Sequence, residues 1–271
     1  MPTAEVGVEL AELLTVAVDL AHGAGAVVRE GRDRGNLDVS VKSSPTDLVT
    51  EIDRLAERYI VMELGTRRPD DAILGEEEVD QQGTSGIRWL VDPIDGTVNF
   101  YYGLPQYSVS VAAERDGVTL AGCVHNPVSG ETFLAVRGGG AWLGSRRRTA
   151  SGRATSLDRA LIGTGFGYEA GRRTAQGRVL AGVLPRVANV RRLGSAALDL
   201  CFVAAGRLDA YYEQGLSPWD MAAGALIAEE AGALVTGLRG QPAGARLTVA
   251  ASRAVAEEFV TLLEELGADD V

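Results

Sequence analysis

One segment restricts the fold of this 271-residue chain more than any other segment does. It is a strand-like run followed by two closely spaced aspartates. The apolar run Ile87 to Val91 is typical of a buried strand, and Asp92-Pro93-Ile94-Asp95-Gly96-Thr97 follows it at once. Acidic side chains at strand ends converge on the edge of a sheet, where the ligands of α/β proteins bind. The segment therefore predicts a sheet with a functional site at one edge.

Helix-like and strand-like segments alternate along the rest of the chain. Apolar residues at helical spacing predict a long amphipathic helix from Val6 to Arg29. Two strand-like runs, Tyr107 to Ala113 and Val118 to Val124, flank Asp116-Gly117, a dipeptide that indicates a hairpin. Because such mixtures continue to the end of the chain, the sequence predicts an α/β or α+β architecture built in layers.

One stretch divides the sequence. Gly144 to Arg153 is rich in turn residues and contains three consecutive arginines. A basic run this short usually forms a solvated loop. We expect a single domain over residues 1–271, with subdomains at residues 1–148, which hold the strand-end aspartates, and 149–271.

The charged residues exclude several classes of function. The chain has 26 lysines and arginines against 37 aspartates and glutamates, a formal net charge of −11. Nucleic acids and anionic membranes require a basic surface, so neither is an expected partner. Two cysteines and two histidines are too few for a disulfide framework or for a zinc site built from these residues.

Targeting signals are not evident in the sequence. No unbroken apolar run reaches the roughly 18 residues of a membrane span. The N-terminus is acidic, with Glu5, Glu9 and Glu12, whereas a secretory signal begins with basic residues. We therefore expect a cytoplasmic protein.

Two further acidic segments lie at the ends of predicted elements. Gly75-Glu76-Glu77-Glu78 follows a short apolar strand, and Asp220 stands at the start of a helix. Taken alone, the glutamates are more typical of a solvated turn. Asp220 alone is more typical of a helix N-cap, where a carboxylate accepts free backbone N–H groups. Together with Asp92 and Asp95, these residues predict one cluster of oxygen ligands.

The residue types in this cluster indicate a particular chemistry. Carboxylates without histidine or cysteine suit Mg²⁺, which proteins hold with a few carboxylates and substrate phosphate. Gly96 allows the backbone to approach a ligand closely. Thr97 adds a hydroxyl where a helix begins, and free N–H groups at that point favour phosphate. A metal site beside a phosphate site is the arrangement used in metal-assisted hydrolysis of phosphate esters.

At these residues the chain resembles the inositol monophosphatase family of Mg²⁺-dependent, lithium-sensitive phosphatases. The matching segments are Asp47 to Asp53, Gly75 to Glu77, Trp89 to Phe100 with Gly103 and Pro105, Gly194 to Ala197, Asp209 to Glu213, and Trp219 to Gly224. The resemblance extends over most of the chain. It implies a five-layered αβαβα sandwich and, commonly, a homodimer.

The resemblance also implies a set of metal ligands. Glu76, Asp92 and the backbone carbonyl of Ile94 would hold one Mg²⁺, and Asp92, Asp95 and Asp220 a second. A third, weaker ion near Glu76 is also implied. The first ion would generate the attacking water, and the second would stabilise the leaving alkoxide.

The resemblance also implies which residues take part in catalysis and which bind the substrate. Thr97, hydrogen-bonded to Asp53, and Glu76 would orient the attacking water and take its proton. Lys42 would lie on a mobile loop that closes over the metals. The residues that the resemblance places near the substrate, a small phosphate monoester, are Glu76, Ile94, Asp95, Gly96, Thr97, Gly194, Ser195, Ala196, Glu213 and Asp220.

Inositol 1-phosphate is the substrate that the resemblance favours, because Glu213 follows Ala210-Tyr211-Tyr212 as in the inositol phosphatases. Related phosphatases act on histidinol phosphate, fructose 1,6-bisphosphate or 3′-phosphoadenosine nucleotides, and these alternatives stay open. A dinucleotide-binding oxidoreductase is suggested by Gly163 to Tyr168, but Tyr168 stands where the third glycine of that fingerprint belongs. A catalytically silent partner-binding protein is a further alternative, although the complete set of expected ligands argues against it.

Overall fold

Two β-sheets lie between three layers of helices in the computed structural model, which describes residues 7–34, 39–41, 48–148, 150 and 152–270. The helices of this part of the chain are α1 (Val8–Asp33), α2 (Glu51–Arg67), α3 (Thr97–Tyr102), α4 (Ala170–Val183), α5 (Ala196–Ala204), α6 (Pro218–Glu230) and α7 (Ala256–Glu265). Its strands are β1 (Val39–Val41), β2 (Leu48–Thr50), β3 (Ala72–Gly75), β4 (Asp80–Gln81), β5 (Ile87–Asp95), β6 (Ser108–Arg115), β7 (Val118–His125), β8 (Thr132–Val136), β9 (Gly140–Leu143), β10 (Arg146–Arg148), β11 (Leu161–Thr164), β12 (Asn189–Arg191), β13 (Ala210–Glu213), β14 (Leu234–Thr236) and β15 (Thr248–Ala251).

The larger sheet has eight strands in the order β10-β9-β8-β7-β6-β5-β3-β4. Strands β3 and β5 run parallel, with Gly75 opposite Val91, and the other neighbouring strands run antiparallel. Because β3 and β5 are parallel, the residues that follow Gly75 and those at the end of β5 meet at the same edge. The topology thus brings two of the acidic segments together.

The smaller sheet has five strands in the order β12-β11-β13-β15-β14. Strand β11 runs parallel to both β12 and β13, whereas β15 runs antiparallel to β13 and β14. Residues after Thr164 and after Glu213 therefore leave this sheet at one edge. Strands β1 and β2 form a separate antiparallel pair.

Three apolar clusters fill the spaces between the layers. The first joins α1 and α2 to the larger sheet, the second surrounds α5 and α6 between the sheets, and the third joins α4 and α7 to the smaller sheet. Large buried members of the first cluster are Leu13, Ile60 and Trp89. Those of the second are Phe133, Leu200 and Leu226, and those of the third are Val183, Tyr212 and Phe259. This order of layers confirms the predicted five-layered αβαβα sandwich.

Helix α1 confirms the predicted long helix and ends at Asp33 rather than at Arg29. By length and composition it could cross a membrane, with a mean hydropathy of 1.4, and half of its most apolar 18-residue window is buried within the fold. The chain still has no unbroken apolar run of about 18 residues, and a buried core helix passes the same test of length and hydropathy. Alanine, valine and leucine raise the mean hydropathy even though polar residues such as Asp19 interrupt the apolar run.

Strand β5 extends beyond its apolar part. The sequence predicts an end at Val91, whereas β5 continues to Asp95 with an irregular register against β6 between Asp92 and Asp95. Pro93 lies at this irregularity, where a strand tolerates a residue without an N–H donor. The two aspartates are thus part of the strand, and irregularities of this kind redirect side chains beside active sites.

The turns are predicted with mixed success. Asp116 and Gly117 have φ values of 52° and 77°, which confirms the hairpin between β6 and β7. Arg146–Arg148 is not a loop but the edge strand β10, where charged side chains discourage pairing with other chains.

The division into subdomains at residue 148 stays a prediction. The strands of the larger sheet precede residue 149, and those of the smaller sheet follow it.

Candidate active site

A cavity of about 400 Å³ lies where β3 and β5 end and where α3, α5 and α6 begin. The predicted site residues in its wall are Glu76, Asp92, Ile94, Asp95, Gly96, Thr97, Gly194, Ala196, Glu213 and Asp220. Ser195 and Asp53 lie behind the wall and hydrogen-bond to Asp95 and Thr97. Lys42 falls outside the described residues. Segments that are far apart in the sequence therefore share one cavity.

Asp92 is deeply buried in this wall, with 1 % of its surface exposed. Its side chain contacts that of Glu76, and its Oδ1 atom has no hydrogen-bond partner. Burial, followed by the charges of Glu76, Asp95 and Asp220, holds the pKa of Asp92 well above the usual aspartate value. Two carboxylates in contact require a shared proton or a cation. Within the described residues, the Asp92 carboxylate therefore lacks a positive charge that would compensate it.

Asp95 links the larger sheet to the first turn of α5. Its carboxylate accepts hydrogen bonds from the Ser195 hydroxyl at 2.5 Å and from the amides of Ala196 and Ala197 at 3.2 and 2.8 Å. Burial raises the pKa of Asp95 to about 6, although these hydrogen bonds favour its charged form. A carboxylate at a helix N-terminus is also favoured by the helix dipole. The end of β5 and the start of α5 are thus held together by one side chain.

Asp220 serves both its helix and the cavity. It is the N3 residue of α6, and its Oδ2 accepts the amide of the N-cap residue Ser217 at 2.7 Å. Burial, followed by the charges of Glu76 and Asp95, raises its pKa well above the usual value. The capping interpretation is therefore partly correct, since one oxygen serves the helix start while the side chain also lines the cavity.

Thr97 is held by Asp53, as the resemblance implies. The Thr97 hydroxyl lies 3.1 Å from Asp53 Oδ1 and 3.0 Å from the carbonyl oxygen of Ile94. Asp53 also accepts the amide and the hydroxyl of Thr50, the N-cap of α2, at 2.9 and 2.5 Å. Burial raises the pKa of Asp53 to about 6. Because the Thr97 hydroxyl donates its proton to these acceptors, its lone pairs are left to accept a hydrogen bond from a ligand.

The turn between β5 and α3 requires glycine at position 96. Gly96 has a φ of 98°, and a Cβ there would lie 2.9 Å from the carbonyl oxygen of Gly194 and 3.0 Å from that of Gln106. The Asn99 amide group donates to the carbonyls of Gln106 and Leu193 at 2.6 and 2.7 Å. A side chain at Gly96 would therefore push the turn away from the loop that precedes α5.

Glu57 is a buried carboxylate that the sequence analysis missed. It lies on α2, is 3 % exposed, and accepts the backbone amides of Glu77, Glu78 and Val79 at 2.9, 2.8 and 3.1 Å. These amides belong to the turn that follows Glu76, so Glu57 fixes the backbone next to an expected metal ligand. The available signal was its spacing of four residues from Asp53, which places both carboxylates on one helical face.

Glu213 ends β13 and is held in place by two neighbours. The Tyr211 hydroxyl donates to Glu213 Oε2 at 2.5 Å, and a Cβ on Gly165 would lie 1.9 Å from that oxygen. Burial raises the pKa of Glu213 to about 7, although Tyr211 and Arg192 favour its charged form. Glu213 is therefore a positioned hydrogen-bond acceptor in the cavity wall.

Other wall residues were not predicted. They are Phe166, Gly167, Tyr168, Arg172, Arg192, Gln214, Gly215, Leu216, Ser217 and Trp219. The segment after β11 had suggested a dinucleotide fingerprint, and instead it lines the carboxylate cavity. Its position follows from β11 and β13 being parallel, because their ends leave the sheet on one side. Parallel pairing between distant strands is not visible in the sequence.

The wall fits a hard divalent cation. Four carboxylates supply the oxygen ligands that Mg²⁺ prefers, and one of their buried oxygens has no other partner. In the described part of the chain, no three acidic, histidine or cysteine side chains already form a ready-made metal site. The carboxylates would therefore have to close in around a bound ion.

Comparison with known proteins agrees with this geometry. The model of the inositol monophosphatase family matches residues 9–268. The inositol-1-monophosphatase SuhB of Mycobacterium tuberculosis is 46 % identical over 274 residues, covering 94 % of each chain. The Nus factor SuhB of Pasteurella multocida is 41 % identical over 231 residues, or 84 % of this chain and 86 % of that protein. The solved structure of the extragenic suppressor protein SuhB of Bartonella henselae has a TM-score of 0.87 and 37 % identity, covering 94 % and 98 % of the two chains.

The family match spans almost the whole chain, and the Mycobacterium tuberculosis relative carries the name of a phosphatase that acts on a monoester. Family members generally depend on Mg²⁺, which agrees with the oxygen-rich wall of the cavity. The chain belongs to the inositol monophosphatase family and is a phosphoric monoester hydrolase.

Proposed function

We propose that the chain hydrolyses myo-inositol 1-phosphate to inositol and phosphate. The observation that carries the proposal is the shared cavity, where the acidic ends of β3, β5 and α6 lie together with Ala196 and Glu213. The first group suits a metal-held phosphate, and Glu213 offers a carboxylate to the hydroxyls of a polyol that lies against Ala196. The name of the Mycobacterium tuberculosis relative supports the same substrate.

We further propose that two Mg²⁺ ions bind, with a weaker third near Glu76. Glu76, Asp92 and the Ile94 carbonyl would hold one ion, and Asp92, Asp95 and Asp220 the other. When bound, Mg²⁺ supplies Lewis acidity and lowers the pKa of a water molecule. Removing metal with EDTA is expected to stop phosphate release, and calorimetric titration of Mg²⁺ counts the sites.

The side chains of the cavity then direct the reaction. Thr97 donates to Asp53 and so accepts a hydrogen bond from the attacking water. Glu76 takes the proton of that water as its oxygen bonds to phosphorus. The backbone amides of Gly96 and Thr97 hold phosphate oxygens, where stabilising the developing charge contributes most to the rate. The bond from phosphorus to the alcohol oxygen breaks, that oxygen takes a proton from a solvent water molecule and leaves as the alcohol, and Glu76 returns its proton to the solvent.

Substrate choice is tested by comparing four phosphate esters. We expect kcat/KM for inositol 1-phosphate to exceed the values for histidinol phosphate, fructose 1,6-bisphosphate and a 3′-phosphoadenosine nucleotide. Glu213→Gln is expected to lower kcat/KM for inositol 1-phosphate about tenfold, since a hydrogen bond to a charged group is lost. Glu257→Gln, an exposed change on α7, is the matched control. If inositol 1-phosphate is the poorest of the four substrates, the proposal fails.

A partner-binding role is the second candidate, because the Pasteurella multocida relative is named a Nus factor. The carboxylates that share the cavity favour catalysis, with or without a partner. We also propose a cytoplasmic homodimer that lithium inhibits. Light scattering measures the mass of the assembly, and phosphate release in lithium chloride tests the inhibition.

A further inference from the structure

A buried acid on α5 has no part in the proposed mechanism. Asp199 is 1 % exposed, and its Oδ1 atom has no hydrogen-bond partner within the described part of the chain. Burial, followed by the charge of Glu213, holds the pKa of Asp199 well above the usual aspartate value. Because a buried carboxylate is costly when no donor compensates it, such a group favours its protonated form. The surroundings of Asp199 therefore favour a neutral acid.

Two glycines of the segment that had suggested a dinucleotide fingerprint lie beside Asp199 and Glu213. Gly163 belongs to β11 and Gly165 follows two positions later, so both face the same side of the strand. A Cβ on Gly163 would lie 3.2 Å from Tyr211 Cδ2 and 3.7 Å from Asp199 Cγ. A Cβ on Gly165 would lie 1.9 Å from Glu213 Oε2 and 2.0 Å from its Cδ. Gly165 therefore leaves the space in which the Glu213 carboxylate lies.

The Tyr211 hydroxyl treats the two acids differently. Tyr211 is fully buried and stands opposite Gly163 in the pairing of β11 with β13. Its hydroxyl donates to Glu213 Oε2 at 2.5 Å. A hydroxyl has a single proton to donate, so this bond leaves none for Asp199. Glu213 thus has a donor that stabilises its charged form, whereas Asp199 Oδ1 has no donor.

Arg192 is a cation that acts on both acids. A Cβ on Gly194 would lie 2.4 Å from Arg192 Nη1, so the guanidinium rests over the loop that precedes α5. Its charge favours the ionised forms of Glu213 and Asp199. One guanidinium balances one carboxylate, and a second ionised carboxylate in the same region would repel the first. While Asp199 is neutral, the charge of Arg192 is left to Glu213.

The other titratable groups that face the two acids supply no positive charge. Asp95 on β5 opposes the ionisation of both acids, and Asp220 on α6 feels the charge of Glu213. Tyr211 on β13 and Cys201 on α5 stay neutral, since burial raises the pKa of each well above its usual value. These surroundings favour one ionised acid of the two, and the hydrogen bond from Tyr211 selects Glu213.

We propose that Gly165 and Asp199 are positioning residues that prepare Glu213 for the alcohol part of the substrate. Gly165 leaves the space for the Glu213 carboxylate, and Asp199, as a neutral acid, leaves the charge of Arg192 to it. This inference rests on the proposed contact between Glu213 and the hydroxyls of a polyol. The substrate class that the arrangement selects is a phosphate monoester whose alcohol offers hydroxyls to an ionised carboxylate.

The space beside Gly165 is tested with two substrates. Myo-inositol 1-phosphate offers hydroxyls to Glu213, whereas phenyl phosphate has none, so the ratio of their kcat/KM values reports on that contact. We expect Gly165→Ala to lower this ratio at least about tenfold, as for the loss of one hydrogen bond to a charged group. Gly177→Ala on α4, where a Cβ would enter open space, is the matched control and should keep the ratio of the natural chain.

A second substitution separates positioning from a disturbed fold. Glu213→Ala removes the carboxylate that a methyl group at position 165 would displace. In the Glu213→Ala background we therefore expect Gly165→Ala to leave the ratio where Glu213→Ala alone sets it. A merely structural effect of Gly165→Ala would lower kcat/KM for both substrates together, or its effect on the ratio would multiply with that of Glu213→Ala.

The charge state of Asp199 is tested through stability. The folded chain keeps the Asp199 proton, whereas the unfolded chain releases it near the usual pKa of 3.8. The contribution of this proton to stability is complete below pH 3.8 and is lost as the pH rises. In saturating Mg²⁺, we expect the unfolding constant of the natural chain to rise about tenfold per pH unit relative to that of Asp199→Asn, between about pH 5 and pH 7. Urea denaturation measures both constants, and Asp80→Asn on the exposed strand β4 should show no such slope.

The proposal needs both results. It is overturned if Gly165→Ala leaves the substrate ratio unchanged, or if its effect multiplies with that of Glu213→Ala. It is also overturned if the unfolding constants of the natural chain and Asp199→Asn keep a fixed ratio across the pH range, since Asp199 would then be ionised in the folded chain. A loss of the ratio in Glu213→Ala alone would leave the proposed substrate contact standing without this positioning. If the Mg²⁺-loaded natural chain hydrolyses no phosphate ester, the proposed function itself fails.

Discussion

Asp92 destabilises the folded chain unless a cation accompanies it. Its carboxylate is buried against Glu76, and one of its oxygens has no hydrogen-bond partner. A buried ionised group without compensation is costly, and a contact between like charges adds to that cost. The same residue therefore weakens the metal-free protein and is a proposed ligand of the cation in the active one.

We expect Asp92→Asn to lower Mg²⁺-dependent phosphate release by roughly 1,000-fold or more, since the proposed shared ligand of both ions loses its charge. In EDTA the same change should raise the midpoint of thermal unfolding by about 2–4 °C, because one repelling charge is gone. Phosphate release and thermal denaturation are the measurements. Asp80→Asn, on the exposed strand β4, controls for the loss of a surface charge. Turnover close to that of the natural chain would remove Asp92 from the metal site.

At the residue scale, the acidic residues that line the cavity are easier to predict from the sequence than the residues that position the cavity wall by hydrogen bonds. Asp92 and Asp95 are recognisable because they follow an apolar run within one short segment. Glu57 acts on amides some twenty residues further along the chain, and such a contact exists only after α2 has packed. Arg172 was overlooked for the same reason, since its neighbours Gly167 and Gly215 come together through the pairing of β11 with β13.

At the scale of elements, α2 acts as a support with two buried carboxylates one turn apart. Asp53 holds Thr97, and Glu57 holds the turn after Glu76. The helix thus fixes two separate parts of the cavity wall. Its own start is secured by Thr50, which exchanges hydrogen bonds with Asp53.

Glu57→Gln is expected to raise the Mg²⁺ concentration for half-maximal activity about tenfold while kcat at saturating Mg²⁺ changes little. The amide has one acceptor oxygen where the carboxylate uses two, so the turn beside Glu76 loosens and the lost hydrogen bonds cost about 1–3 kcal/mol. Titration of activity with Mg²⁺ and urea denaturation measure the two effects. Glu63→Gln, further along α2, is the control. An unchanged Mg²⁺ requirement would show that the turn does not depend on Glu57.

A second contact between elements contains both histidines of the chain. His22 on α1 and His125 on β7 lie with their rings 4.5 Å apart, and each hydrogen-bonds to the Thr132 hydroxyl on β8, at 2.9 and 3.0 Å. Burial, then the charge of His22, lowers the pKa of His125 from 6.5 to about 4, while a hydrogen bond involving Glu131 acts in the opposite direction. This contact joins the outer helix layer to the larger sheet.

The lowered pKa of His125 has a defined effect on stability. In the folded chain His125 stays neutral down to about pH 4, whereas in the unfolded chain it binds a proton near pH 6.5. Its contribution is therefore complete above pH 6.5 and is lost as the pH falls toward 4. We expect the free energy of unfolding of the natural chain to fall relative to that of His125→Gln across this range. His22→Gln should keep most of the slope, because burial is the larger cause. Parallel pH curves for the natural chain and His125→Gln would contradict this explanation.

Element types and order are predicted well where a local pattern defines them, as in α1 and in the hairpin at Asp116-Gly117. The edge strand β10 and the C-terminal strand β15 were missed, because each is defined by a partner rather than by its own sequence. Strand β15 lies between β13 and β14, so its pairing depends on a chain reversal that no local motif shows. The extension of β5 to Asp95 was missed because the apolar run that indicates the strand ends at Val91.

For the whole molecule, the acidic cavity makes stability depend on metal and pH together. Burial raises the pKa values of Asp53 and Asp95 from 3.8 to about 6. The stability that these groups contribute is present below about pH 3.8 and is lost as the pH rises through about 6. A bound cation can replace the lost protons, and a ligand of the folded state stabilises it by mass action.

We therefore expect Mg²⁺ to raise the midpoint of thermal unfolding more at about pH 7.5 than at about pH 5, where protons compete for the carboxylates. Differential scanning calorimetry with Mg²⁺ or with EDTA measures the gain at each pH. The Asp220→Asn variant should show a smaller gain at the higher pH. An equal gain at both pH values would show that protons and Mg²⁺ do not compete in this cavity.

The hydrogen bonds between Asp95 and the first turn of α5 also bear on the length of substrate that the cavity accepts. Asp95 is the last residue of β5 in the larger sheet, and its carboxylate accepts hydrogen bonds from the first turn of α5, which contains Ala196. Glu213 is the last residue of β13 in the smaller sheet. Under the proposed function, the distance from the reacting phosphate to the hydroxyls near Glu213 would be set by the spacing of the two sheets. A phosphate ester one bond longer or shorter is then expected to be misaligned at one end of the cavity.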